Sequence, residues 1–179
     1  MSDAQAPRPD QPLCPEGDVR FWSGVGLAAL AIALAGALAG LGALFPKEVA
    51  SAGSVGLLPR LSLTAATVVW AALCTVAGSL AVGAVALVRG RPAGAPVDIA
   101  CRAFACVAVA NLVHLVPIAH PTAKLIFDGI AFVVAAGFLA RAAFRMRSLD
   151  AFAAASVATG AVAALAAAAY AVVWALSPR

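Results

Sequence analysis

The chain has 179 residues, of which 64% are hydrophobic and 11% charged, with a formal net charge of +4 at pH 7 and a mean hydropathy of +1.00. A soluble domain has about a quarter of its residues charged, so this composition excludes a mainly water-soluble fold and implies a polytopic membrane protein. Almost nothing is left over for a soluble domain, and no nucleic-acid partner is expected.

Residues 1–20, "MSDAQAPRPDQPLCPEGDVR", are rich in proline and acid and read as a disordered tail on the cytoplasmic side. A cleaved leader is not expected, because the apolar stretch that follows is longer than a typical h-region and no small-residue cleavage site ends it. Five apolar stretches come next, at about residues 21–45, 61–88, 99–118, 125–143 and 151–176, and residues 177–179 form a short C-terminal tail. Each has about the 20 residues that one helical crossing needs. Helix is expected for all five, since a backbone polar group left unpaired in lipid costs several kcal/mol and no stretch alternates polar with apolar as a barrel strand would. The predicted fold class is therefore all-α, a five-span transmembrane bundle.

Local chemistry marks the boundaries. Pro46 and Pro59 bracket the first loop, and Gly90, Pro92 and Pro96 fill the second. Thr122 and Asp150 are candidate N-caps for spans four and five. The third and fourth loops are short, so spans three, four and five run as consecutive antiparallel hairpins.

With five crossings, one side of the membrane holds Arg8, Arg20, Arg89, Arg91, Arg102, Arg141, Arg145 and Arg147, and the other holds Lys47, Arg60, Lys124 and Arg179. Basic loops stay in the cytoplasm during insertion. The expected orientation is N-terminus inside and C-terminus outside, with Arg89, Arg91, Arg141, Arg145 and Arg147 as a candidate basic anchor against anionic headgroups. Trp22 and Trp174 fall at span ends where an aromatic belt is expected, and Trp70 falls deeper.

The stretch "NLVHLVPIAHPTAKLIFD" concentrates the polar chemistry: Asn111, His114, His120, Lys124 and Asp128 around Pro117 and Pro121. In an α-helix Asn111 and His114 would lie about 60° apart on one face, and Lys124 and Asp128 can pair at i, i+4. Lys124 can also extend to the interface. Two readings compete. One is a proton or ion relay through His114 and Asp128, since ionisable groups inside membranes are costly and often functional. The other is a structural hairpin whose buried polar atoms satisfy one another.

Cysteine and histidine offer little else. Cys14, Cys74, Cys101 and Cys106 contain no CxxC pair, and Cys101 and Cys106 point about 140° apart on a helix, too far to grip one metal. They read as small buried apolar residues. His114 and His120 both lie near the end of span three, so they cannot clasp a haem from opposite helices. No metal, cofactor or catalytic group is assigned: GxSxG, HExxH and Walker motifs are absent.

Span one carries Gly36 and Gly40, and span five Ser156 and Gly160, at the four-residue spacing that lets helix backbones approach in lipid. These are the candidate packing positions, and they predict tight contact between spans one and five.

A tail, five spans and three closely connected final helices are similar to the layout of the Yip family, whose eukaryotic members interact with Rab-type GTPases. The local resemblance lies in "ALVRGRPAGAPVDIACRAFACVAVANLVHLVPI" and in "LIFDGIAFVVAAGFLARAAFRMRSLDAFAAASVATGAVAAL", within residues 61–176. The acidic, tyrosine-containing segment of the eukaryotic members has no counterpart in residues 1–20, so no Rab-contact residue is carried over. The resemblance implies a non-enzymatic scaffold that contacts other membrane proteins or itself. The alanine-rich composition points to a bacterial inner membrane. The competing expectation is a small transport or energy-coupling subunit with a polar path near His114 and Asp128.

Overall fold

A computed structural model describes residues 11–39 and 57–176. Helix α1 is Val19–Leu38, α2 Leu57–Val88, α3 Pro96–Ala110, α4 Pro121–Ala143 and α5 Ser148–Leu176, with a 3-10 turn, Asn111–Leu115, continuing α3. No strand occurs among the described residues. Five helical stretches are long and apolar enough to cross a bilayer, with mean hydropathies from 1.6 to 2.2. The all-α, five-span architecture is thus the observed one. The first span was expected to reach residue 45, and its last part lies outside the described residues.

α3 is the centre of the bundle. More than half of its span is buried (56%), against 22–28% for the others, and it packs against α1, α2 and α4. α5 closes the far side against α4 and α2. The outer faces are left apolar, as at Leu80, Leu87, Ile126, Ile130, Phe138 and Leu165. In water such a girdle would aggregate; in hydrocarbon it is the low-energy surface.

Lipid offers no hydrophobic drive between helices, so close approach has to come from small side chains. α1 turns a buried stripe of Gly26, Ala29, Ala33, Gly36 and Ala37 inward. A Cβ at Gly26 would meet Phe104 of α3 at 2.5 Å, and one at Gly36 would meet Leu115 at 2.5 Å. α4 repeats the device, seating the Phe152 ring of α5 on Gly137. Among the described residues the predicted tight contact between spans one and five is not found: α1 packs on α3, α2 and the 3-10 turn. Ser156 and Gly160 are exposed, with nothing near a Cβ at Gly160, while Gly40 lies outside the described residues. The four-residue spacing was present in both helices, but in so alanine-rich a chain it does not say which neighbour a small face meets.

Two helix starts also differ from expectation. α4 begins at Pro121 with His120 as N-cap, because proline is pre-set for the first helical position, so Thr122 is already inside the helix. α5 begins at Ser148, which places Asp150 in the first turn, not at the cap.

The N-tail, the α2–α3 loop and the α4–α5 loop meet at one end of the bundle, here termed the basic end. The tail was expected to be disordered throughout. Residues 11–18 instead lie against the bundle there, with Leu13 and Cys14 in the core at 1% and 0% exposed. Leu13 N–H donates to Pro92 O at 2.9 Å, Cys14 N–H to Ala93 O at 3.0 Å, and Arg145 N–H to Leu13 O at 2.8 Å. Gly94 makes this fit, with φ of +105° and no room for a side chain, since a Cβ would stand 2.7 Å from Cys14 O. A composition that looks disordered in isolation is ordered here because three partners use its backbone.

Candidate functional site

At the opposite end, α3 tightens into the 3-10 turn over its last residues. Pro117 disfavours helical geometry at Val116, which is extended (φ −67°, ψ 119°). In a 3-10 turn residues i and i+3 eclipse, so Asn111 and His114 stack along one edge and are not splayed by the α-helical angle. The last carbonyls of the turn are left over, and Lys124 takes them. Its Nζ donates to His114 O at 2.9 Å and Val116 O at 3.2 Å, and it lies 2.9 Å from Asp128 Oδ2 and 3.2 Å from Oδ1.

Lys124 is 1% exposed, which corrects the expectation that it extends to the interface. Folding it back satisfies a buried carboxylate and two orphan carbonyls together, and a cation favours a helix C-terminus. The imidazole of His114 completes the group, with Nδ1 3.2 Å from Asp128 Oδ2 and its ring stacked on Phe132 at 5.7 Å. Three of the four sequence candidates therefore form one cluster. Asn111 does not join it. This residue is 2% exposed, yet among the described residues neither Nδ2 nor Oδ1 has a hydrogen-bond partner. His120 is exposed at the helix start.

A cavity of about 390 Å³ opens beside this cluster, between α1, α2 and the hairpin. Asn111, His114 and Asp128 line it together with Trp70 of α2 and apolar groups such as Ala33 and Leu115. Trp70 Nε1 is buried and also unpartnered. The hydroxyls of α2 bond back within their own helix, Thr67 to Leu63 O at 2.9 Å and Thr75 to Ala71 O at 2.7 Å, which consumes their donors. Further toward the basic end the core is Ala71, Cys74, Val107, Ala110, Phe132, Ala136 and Val162.

The basic end holds a second polar cluster, outside the sequence candidates. By sequence position Arg102 is one more charge on the basic side, but it is 4% exposed. Its guanidinium donates to Ala143 O at 2.9 Å, Pro15 O at 3.1 Å and Gly17 O at 3.2 Å, and lies 5.1 Å from the centroid of Trp22. One side chain thereby caps α4, fixes the tail and uses the aromatic ring assigned to the lipid belt. Asp98, one helical turn earlier, is also buried, with Oδ1 unpartnered. The i, i+4 spacing of Asp98 and Arg102 just after Pro96 was the available signal.

The five arginines of the candidate anchor fare differently. Arg89 forms a forked pair with Asp150, Nη2 to Oδ1 at 2.5 Å and Nε to Oδ2 at 3.1 Å, tying α2 to α5. Arg91 donates to Gln11 O at 2.8 Å and Arg145 O at 3.1 Å. Arg145 itself reaches Gln11 Oε1 at 3.4 Å. Arg141 and Arg147 are exposed. Cys14, under this layer, has its thiol pushed up by burial, with Arg102 acting in the opposite direction. Among the described residues no group of three or more His, Cys, Asp or Glu side chains converges as metal ligands would.

No family model, curated protein or solved structure matched this chain in any of the three comparisons.

Proposed function

We propose that the chain is a non-catalytic integral protein of the bacterial inner membrane, a Yip-like five-span scaffold that acts by contacting other membrane components or a second copy of itself. The observation that carries this reading is how the buried charges are used. Lys124, Asp128 and Arg102 each spend their bonds on the chain's own backbone or on one another, which is what structural ties do and what a turnover site avoids. The orientation that goes with it is N-terminus in the cytoplasm and C-terminus outside, with the exposed Arg141 and Arg147 against anionic headgroups.

A second reading, a transport or energy-coupling subunit, is favoured by one observation, the cavity reaching both His114 and Asp128. Crosslinking in native membrane followed by purification separates the two. A stoichiometric protein partner, with no ion flux in proteoliposomes, is the expected result. Flux that disappears in Asp128→Asn would replace the scaffold with the transport reading.

A further inference from the structure

The cavity between α1, α2 and the hairpin has polar atoms that no hydrogen bond among the described residues uses. Its volume, about 390 Å³, falls within the range of small-molecule sites, which are mostly apolar with a few placed polar groups. Of the polar groups that line it, His114 and Asp128 belong to the hairpin cluster, which leaves the Asn111 amide, offering a donor and an acceptor, and the Trp70 indole N–H, offering a donor. All three atoms are buried and have no hydrogen-bond partner among the described residues, and both residues line the same space. Native structures leave few such atoms unbonded, and each one requires an account. A structural tie would have paired Asn111 with a neighbouring helix.

The charge of the site selects among ligands. Lys124 neutralises Asp128 at 2.9 Å, so a charged head would enter as an ion without a counter-ion, which a low-dielectric site disfavours. An uncharged hydroxyl or carbonyl head loses little on entry and matches an amide and an indole N–H together. The apolar walls, Ala37, Leu63, Leu115 and Leu125 among them, suit a hydrocarbon chain or ring system behind that head. We propose that this cavity binds a neutral amphipathic molecule whose hydroxyl or carbonyl head is held by Asn111 and Trp70. This goes beyond the scaffold reading and does not depend on it.

The test uses the full chain in phosphatidylcholine nanodiscs, with Trp22→Phe and Trp174→Phe leaving Trp70 as the sole indole. Brominated diacylglycerol is mixed into the bilayer in one arm. In the other, 4-hydroxy-TEMPO, a neutral hydroxyl-bearing quencher, is added from water. Saturable quenching of Trp70 is expected with at least one probe, while brominated phosphatidylcholine gives only a linear, non-saturating loss. Saturation with the lipid alone assigns the ligand to the bilayer, and saturation with the nitroxide alone assigns it to the aqueous side. Asn111→Leu should weaken the saturable phase about tenfold, the value of one lost hydrogen bond. Ala66→Phe, which adds bulk at the cavity wall, should abolish it. Linear quenching by both probes, or saturation that survives both substitutions, would overturn the proposal.

Discussion

Lys124 shows how a residue's role depends on which atoms lack partners. It donates to two turn carbonyls and faces Asp128, so Lys124→Met strands a buried carboxylate. We expect a loss of about 3–5 kcal/mol, the usual cost of breaking a buried pair from one side, read as a lowered Tm in detergent. Lys124→Met with Asp128→Leu should recover most of it, since the stranded charge is gone; an unchanged single variant would mean that the pair holds nothing together. Asn111 predicts the opposite sign. Its amide is buried without a partner, so in ligand-free membrane Asn111→Leu should stabilise by about 1–3 kcal/mol, and a lower Tm would show that the amide is bonded after all. At the basic end, Arg102→Met removes three charge-assisted bonds and should release residues 11–18. Cys14 alkylation reports this directly. With its thiol pushed up by burial, the native protein should react slowly at mildly alkaline pH and Arg102→Met faster. Because the folded value is the higher one, the stability held by the protonated thiol is present at neutral pH and lost as pH rises through that value.

Elements in this protein meet through glycines that receive a specific large side chain. Gly36 accepts Leu115, whereas nothing stands near a Cβ at Gly160. Gly36→Leu should therefore separate α1 from the 3-10 turn and destabilise the fold, and Gly160→Leu, facing outward, should leave Tm nearly unchanged. Equal effects would show that the contact of Gly36 with Leu115 does not form in the bilayer. The existence and type of all five helices were legible from composition, because a 20-residue apolar segment in lipid has helix as its only economical backbone state. The change from α to 3-10 geometry at Asn111–Leu115 was signalled by Pro117 but not by hydropathy, which is blind to hydrogen-bond register. The partners of α1 were not legible either. A stripe of small residues says that a close neighbour exists, and only the neighbour's own large residues, Phe104 and Leu115, say which one it is.

The molecule as a whole has two unlike ends joined by an apolar waist. The basic end is laced by the tail, Arg91, Arg102 and the Arg89–Asp150 pair; the other carries a charge-balanced cluster beside an open cavity. In the proposed orientation, an impermeant maleimide should label a cysteine placed after Arg179 in intact cells, and one placed near Met1 only after permeabilisation. Labelling of both ends from the same side would remove the odd number of crossings and with it the assignment of the basic end to the cytoplasm.

By itself the sequence determined the solvent, the five apolar spans and the short hairpins, since these follow from segment hydropathy and loop length, both local quantities. It also brought Lys124 to Asp128, a pairing within two turns of one helix. Only the tertiary structure decided that Lys124 turns inward, that Arg102 serves the tail instead of a headgroup, that α1 packs on α3 and α2, and that the Asn111 amide is buried with no hydrogen-bond partner among the described residues. Each of these depends on what a distant segment offers at that spot, a carbonyl at Pro15, a side chain at Leu115, or no partner at all. Such long-range complementarity leaves no periodic trace in one sequence.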